Sequence, residues 1–195
     1  MRSHRPRELS FPGHPTVTVY TDAMGEGNCA SVAFHPGGTA RCMYHTHLPA
    51  WLRNDPTVGI FEYEMCGVAL GALAVVQFAP GTPILVRCDD AGAKGTVIRG
   101  MFVTRVVKLL SSLIWRVAAE AAAQIWIEYV KSDHNAADAP SRCCGGAAHT
   151  NEFADGIAPS PIPERFADAL ASLENLESYG LNTTNRTACH EWKRP

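Results

Sequence analysis

The chain has 195 residues, 46% hydrophobic and 18% charged, with 17 basic against 19 acidic side chains and a formal net charge of -2. That is one domain with a real core plus tails, and its charge balance excludes a histone-like coat for DNA. The longest uninterrupted apolar run, Met65 to Val76, is shorter than the roughly 20 residues that a bilayer span needs. Seven cysteines, an odd number, follow an opening MRSHRPREL that lacks the apolar stretch of a secretory signal. A disulfide framework is therefore not expected, and a reducing intracellular compartment is, cytoplasm or nucleus, with an organelle compatible with the Arg-rich start.

Residues 1–15 carry Pro6, Pro12, Gly13 and Pro15 and read as an extended N-terminal lead-in. TVTVYTD (16–22) alternates β-branched with polar residues and stops at Gly25, Glu26, Gly27 and Asn28, the signature of a strand entering a hairpin. CASVAFHPGG (29–38) and ARCMYHTHLP (40–49) extend this to a three-strand antiparallel meander. From Val58 to Phe78 the period changes, with Phe61, Met65, Val68, Ala72 and Val75 forming a helical stripe that Pro80, Gly81 and Pro83 end. PILVRC (83–88) is a buried-type strand, 89–100 a helix diluted by Gly92, Gly95 and Gly100, and Phe102 to Ala123 an amphipathic helix. QIWIEYV (124–130) is the last strand, SDHNAADAPSR (132–142) a capping segment, and Arg165 to Ser178 a short helix within a looser C-terminal extension, 143–195. This order predicts an α/β domain over 16–142. Its mixed five-stranded sheet has three antiparallel strands and then parallel ones, joined by crossover helices.

The carboxylates fall at informative places. Asp22 ends the first strand, Asp89 follows the fourth, Glu64 lies in an apolar helix stripe, and Asp138 follows the last strand. Strand ends of one polarity frame a common edge, so Asp22 and Asp89 are close if their strands are neighbours. Carboxylates crowded together cannot all ionise unless a cation neutralises them, and hard divalent ions take oxygen ligands. Glu62 and Glu64 are not separated by periodicity alone. Gly67 and Gly71, three and seven residues beyond Glu64, would let that side of the helix approach the sheet.

VYTDAMGEG, EMCGVALGAL, VRCDDAGAKGTVIRG and YVKSDHNAADAPSR, in that order, resemble the four motifs of the ribonuclease H domain of retroelement reverse transcriptases. Met24 stands where Ser is common in that family and Gly67 where Ala is common. The resemblance implies an RNase H-like fold and two-metal-ion hydrolysis of the RNA strand of RNA:DNA hybrids, with Asp22, Glu64, Asp89 and Asp138 as catalytic and metal-binding acids. It implies two Mg²⁺, with Mn²⁺ as a substitute, and prefers Glu64 to Glu62 and Asp89 to Asp90, leaving Asp90 as an outer partner. Two such ions add four charges and take the formal charge from -2 to +2. Arg87, Lys94, Arg99, Lys131 and Arg142 are the candidate substrate-binding residues, and a nucleic acid hybrid, a reverse transcriptase domain or a larger assembly are the expected partners. His134 is a further proton-transfer candidate, although its spacing is unlike the family's longer His-bearing loop.

Other readings compete. Asp22 beside Gly25 also suits a turn, and Asp138 with Asn135 and Ser141 a helix cap. Asn135 and Arg142 read as structural, capping and tethering the last helix. Cys143, Cys144, His149, Cys189 and His190, or Cys42 with His45 and His47, lack the paired spacing of a zinc site. Trp115 and Trp126 read as core or helix–sheet packing. At the level of function the alternatives are a catalytically silent copy serving as a structural or nucleic-acid-binding subunit, and a DDE-type recombinase. The recombinase's third acid is usually a Glu on a late helix, where this chain has Asp138.

Overall fold

The computed structural model describes residues 17–35, 40–100, 104–142 and 160–178. Strand β1 (Val17–Ala23) turns tightly into β2 (Asn28–Phe34), and β2 pairs with β3 (Ala40–His47), both contacts antiparallel. The first turn depends on Gly27, whose φ of +87° belongs to the left-handed region that favours glycine. β1 then pairs in parallel with β4 (Pro83–Cys88), and β4 with β5 (Gln124–Tyr129), giving the order β3-β2-β1-β4-β5. The mixed five-stranded sheet is as the sequence predicts.

After β3 comes a single turn, α1 (Ala50–Arg53), which the sequence pattern does not announce. Helix α2 (Ile60–Phe78) packs across β1, β2 and β4, with α4 (Arg105–Glu120) and α6 (Glu164–Ser178) over its outer side. Every residue from Glu62 to Val76 is consequently buried. The expected one-sided stripe is too narrow a description, because the helix has protein on nearly all sides. By length and composition α2 would also pass as a bilayer span, a point that the uninterrupted run Met65 to Val76 conceals. Its most apolar window is 83% buried inside the protein, as a core helix should be.

Helix α3 (Ala91–Arg99) is capped by Asp90, whose Oδ1 accepts the Ala93 N–H at 2.6 Å, and stopped by Gly100 at φ +65°. Helix α4 begins after Thr104, whose hydroxyl accepts from Val107 N–H, and ends at Glu120. The apolar pattern to Ala123 overshoots, because the chain reverses through Ala122 (φ 52°) to enter β5. Trp115 does not join the core. It is 41% exposed, its indole N–H donating to Val97 O at 3.2 Å and so tying α4 to α3, while Trp126 is partly buried on β5.

The opposite sheet face is covered by a lighter layer, a 3₁₀ turn (Ser132–His134) and α5 (Asp138–Ser141). Ala137, fully buried, packs there against Val32 and Met43, with Tyr20 and Phe34 alongside. Helices therefore stand on both faces. Phe166, Ala169, Leu170 and Leu173 of α6 are buried in the main core.

Candidate metal centre

The parallel register pairs Thr21 with Cys88, so the chain positions that follow, Asp22 and Asp89, leave the sheet side by side. Glu64 reaches the same edge from α2, and two glycines set its distance. A Cβ built on Gly67 would stand 3.0 Å from the Asp22 carbonyl oxygen, and one on Gly71 2.6 Å from Thr21 Cγ2 and 2.8 Å from Val19 Cγ1. The helix lies so close on β1 that an added methyl at Gly71 would force Thr21 and Val19 to shift and one at Gly67 would press on the Asp22 backbone.

One carboxylate oxygen from each of Asp22, Glu64 and Asp89 lies within 4.8 Å of the other two. Asp22 and Glu64 are each 5% exposed. Burial pushes the Glu64 carboxyl up to about 9, with the charges of Asp22 and Asp89 adding to it and the Ala23 N–H opposing. Burial also lifts Asp22 to about 6, against a lowering hydrogen bond from Ser141 and with the charges of Asp89 and Asp138 pushing upward. Glu64 Oε1 accepts the Ala23 N–H at 3.3 Å, whereas its buried Oε2 has no hydrogen-bond partner. An orphaned buried oxygen beside two further acids is costly unless a cation completes it, and an all-oxygen donor set suits a hard divalent ion. The residues fit Mg²⁺ or Mn²⁺.

The neighbouring acids have other work. Glu62 Oε2 accepts the Gly59 N–H at 2.9 Å and so closes the N-terminus of α2, as Asp90 caps α3. Asp138 stands outside the group of three. Its two oxygens are gripped by Arg142, Nε donating to Oδ2 at 2.9 Å and Nη2 to Oδ1 at 2.6 Å, yet its charge still acts on Asp22. Asp22 itself is held from the segment after β5. Ser141 Oγ donates to its Oδ2, and Asn135 Nδ2 lies 3.4 Å from its Oδ1. Sequence reasoning assigns Asn135 and Ser141 to a helix cap and neither to Asp22, since no periodicity connects residues so distant along the chain.

The basic candidates are dispersed. Arg87 projects from β4 onto the α5 face, where Nη1 donates to the Tyr20 hydroxyl at 2.8 Å and Nη2 lies 3.8 Å from Glu128. Lys94 is half-buried on α3, and Arg99 is exposed in that helix's last turn. Lys131 and Arg142 are exposed and flank the 3₁₀ turn and α5. His134 is exposed, 4.0 Å from Asp133. Strand alternation separates Cys42, which faces the α2 side, from His45 and His47, and His47 Nδ1 pairs with Asn28 Oδ1 at 2.6 Å. Cys143, Cys144, His149, Cys189 and His190 lie outside the described residues.

No family model matches this sequence, and no curated protein matches it. Among solved structures it is similar to the N-terminal ribonuclease H domain of a Mycobacterium tuberculosis protein, solved as a maltose-binding-protein fusion, at 12% identity and TM-score 0.50, over 82% of this chain and 99% of that one. A ribonuclease H1 from the archaeon Halobacterium salinarum aligns at 10% identity and TM-score 0.49, over 63% of this chain and 89% of that one. Another ribonuclease H1, solved in complex with an RNA/DNA hybrid, aligns at 12% identity and TM-score 0.49, over 61% and 88%. With the sheet order β3-β2-β1-β4-β5 and helices on both faces, the first of these similarities establishes an RNase H-like fold for this chain.

Proposed function

We propose that the protein is a divalent-metal-dependent ribonuclease H, an endonuclease that hydrolyses the RNA strand of an RNA:DNA hybrid. The observation that carries this reading is the convergence of Asp22, Glu64 and Asp89, with an unpartnered Glu64 oxygen, at the edge of an RNase H-like sheet. Two Mg²⁺, or Mn²⁺ in their place, would supply Lewis-acid activation of water and charge neutralisation at the departing 3′ oxygen. Asp22, Glu64 and Asp89 would hold them, with Asp138 contributing if it leaves Arg142. The protein residues orient and neutralise, and no side-chain nucleophile is required. Lys94 and Arg99 on α3, Lys131 and Arg142 around α5, and Arg87 on the α5 face would supply the phosphate contacts, Arg142 once it leaves Asp138. The RNA strand would be told from DNA by its 2′-hydroxyls across the shallow minor groove. The order and wording of the four motifs support a retroelement origin and an association with a reverse transcriptase domain.

One observation favours a second reading, a catalytically silent copy that acts as a nucleic-acid-binding subunit: both oxygens of Asp138 are engaged by Arg142. Incubation with a strand-labelled RNA:DNA hybrid and Mg²⁺ at low ionic strength separates the two. The first reading expects cuts in the RNA strand alone, leaving 3′-hydroxyl and 5′-phosphate ends, with double-stranded DNA intact. Asp22→Asn and Asp138→Asn should each lower the rate by orders of magnitude. Hybrid binding with no cutting in either Mg²⁺ or Mn²⁺ would establish the silent copy, and equal cutting of duplex DNA would point to a recombinase or general nuclease.

A further inference from the structure

We infer that Ser141, assisted by Asn135, is a positioning residue that aims the Asp22 carboxylate at the metal centre, an inference that rests on the proposed divalent-ion site. Asp22 is the strand acid of the cluster, and a carboxylate on a strand end can rotate about two side-chain bonds. Here both its oxygens face donors from one distant segment, Ser141 Oγ on Oδ2 and Asn135 Nδ2 on Oδ1. Those donors are themselves fixed. Ser141 is fully buried and Asn135 is 6% exposed. Asn135 Nδ2 also donates to Thr21 O at 3.0 Å, its Oδ1 accepts the Ala137 N–H at 3.2 Å, and the Ser141 N–H donates to Ala137 O at 3.0 Å. Ala137 is in turn locked against Val32 and Met43 of the sheet.

The Ser141 hydroxyl has one proton and two acceptors within reach, Asp22 Oδ2 and the Asp138 carbonyl at 2.8 Å. An ionised carboxylate is the stronger acceptor, so with Asp22 charged the proton belongs to it. The helical turn α5 thus has two outputs. Ser141 points inward to Asp22, while Asp138 and Arg142 form an i,i+4 pair on its more exposed side. A metal ligand whose orientation is fixed beforehand binds its ion without the cost of ordering, and outer partners of this kind are worth about 10- to 100-fold in metal affinity or activity.

The test titrates Mn²⁺ calorimetrically into the full chain and, separately, measures kcat and KM on the hybrid, for wild type, Ser141→Ala, the nearly isosteric Ser141→Cys, and Ser141→Thr. Ser141→Ala and Ser141→Cys should weaken Mn²⁺ binding by about 10-fold or more and lower kcat, with KM for the hybrid within about 2-fold of wild type. Ser141→Thr, which keeps the hydroxyl, should recover Mn²⁺ affinity even where its added methyl lowers the metal-free melting temperature, whereas Ser141→Cys should not. Wild-type Mn²⁺ binding and turnover in both Ser141→Ala and Ser141→Cys would overturn this inference alone. So would a loss that Ser141→Cys and Ser141→Thr share in proportion to a lowered melting temperature, since that would mark a merely structural serine. A wild type that binds no Mn²⁺ would overturn it together with the proposed function.

Discussion

Glu64 is the residue on which the electrostatics of the site turn. Its carboxyl is pushed from 4.5 to about 9 and that of Asp22 from 3.8 to about 6, in both cases first by burial. A carboxyl whose folded pKa lies above its unfolded value binds a proton that the unfolded chain has released, so folding stability falls as pH rises through the interval between the two. In a chelator the melting temperature should therefore decline from about pH 5 to pH 9, mainly through Glu64 at the upper end. Glu64→Gln should flatten the decline. Mg²⁺ should raise the melting temperature more at pH 8 than at pH 5, because the ion competes with protons for the same oxygens. A metal-free melting temperature that climbs across this range would contradict the assignment. Two residues upstream, Glu62 serves the helix terminus, so Glu62→Ala should cost about 0.5–2 kcal/mol of stability, as lost caps do, whereas Glu62→Gln, whose amide oxygen still accepts the Gly59 N–H, should change stability and hybrid cleavage little. Cleavage lost equally in Glu62→Gln and Glu64→Gln would show that the two roles are not separate.

At the scale of elements, the contact of α2 with β1 decides whether Glu64 and Asp22 can meet. Gly71→Ala would drive a methyl into Thr21 and Val19, and overpacking of this kind costs about 1–3 kcal/mol. Gly67→Ala presses on the Asp22 carbonyl at 3.0 Å, and it should lower Mg²⁺-dependent cleavage more than its loss of stability alone would explain. Thermal melts beside rate measurements distinguish the two effects, and a Gly67→Ala protein with full activity would argue against a strict helix–strand spacing. Much of this geometry was legible in the sequence. Alternation in TVTVYTD, the Pro-Gly-rich stops and the glycines after Glu64 carry the strands, the helix and the close approach. The choice of Glu64 over Glu62 and of Asp89 over Asp90 drew on the family resemblance, and its physical reason is visible only in the fold, where the rejected acids cap helices. Ser141 was not legible, because a contact across 119 residues leaves no periodic trace. The exposure of Trp115 was legible from the helical period, because it lies off the stripe of Val106, Leu110, Leu113, Ile114 and Val117, and its size alone suggested packing.

For the whole molecule, the core extends beyond the last motif. Phe166 is fully buried, and α6 closes the outer side of α2 and α4, where Arg165 also pairs with Glu120. Phe166→Ala should cost about 3–5 kcal/mol, a range typical of buried aromatic truncations, and a chain ending at residue 142 should melt well below the full-length protein. Equal melting temperatures would show that 16–142 is self-sufficient. The net charge of -2 offers little long-range attraction for nucleic acid, so under the proposed function affinity for a hybrid would be local to the edge at which Asp22, Glu64 and Asp89 meet. That edge is the centre of the account, and a crystal soaked in Mn²⁺ and measured at the manganese absorption edge tests it most directly. An anomalous peak should stand among Asp22, Glu64 and Asp89 and be lost in Asp89→Asn crystals. Saturating Mn²⁺ with no peak between those carboxylates would contradict it.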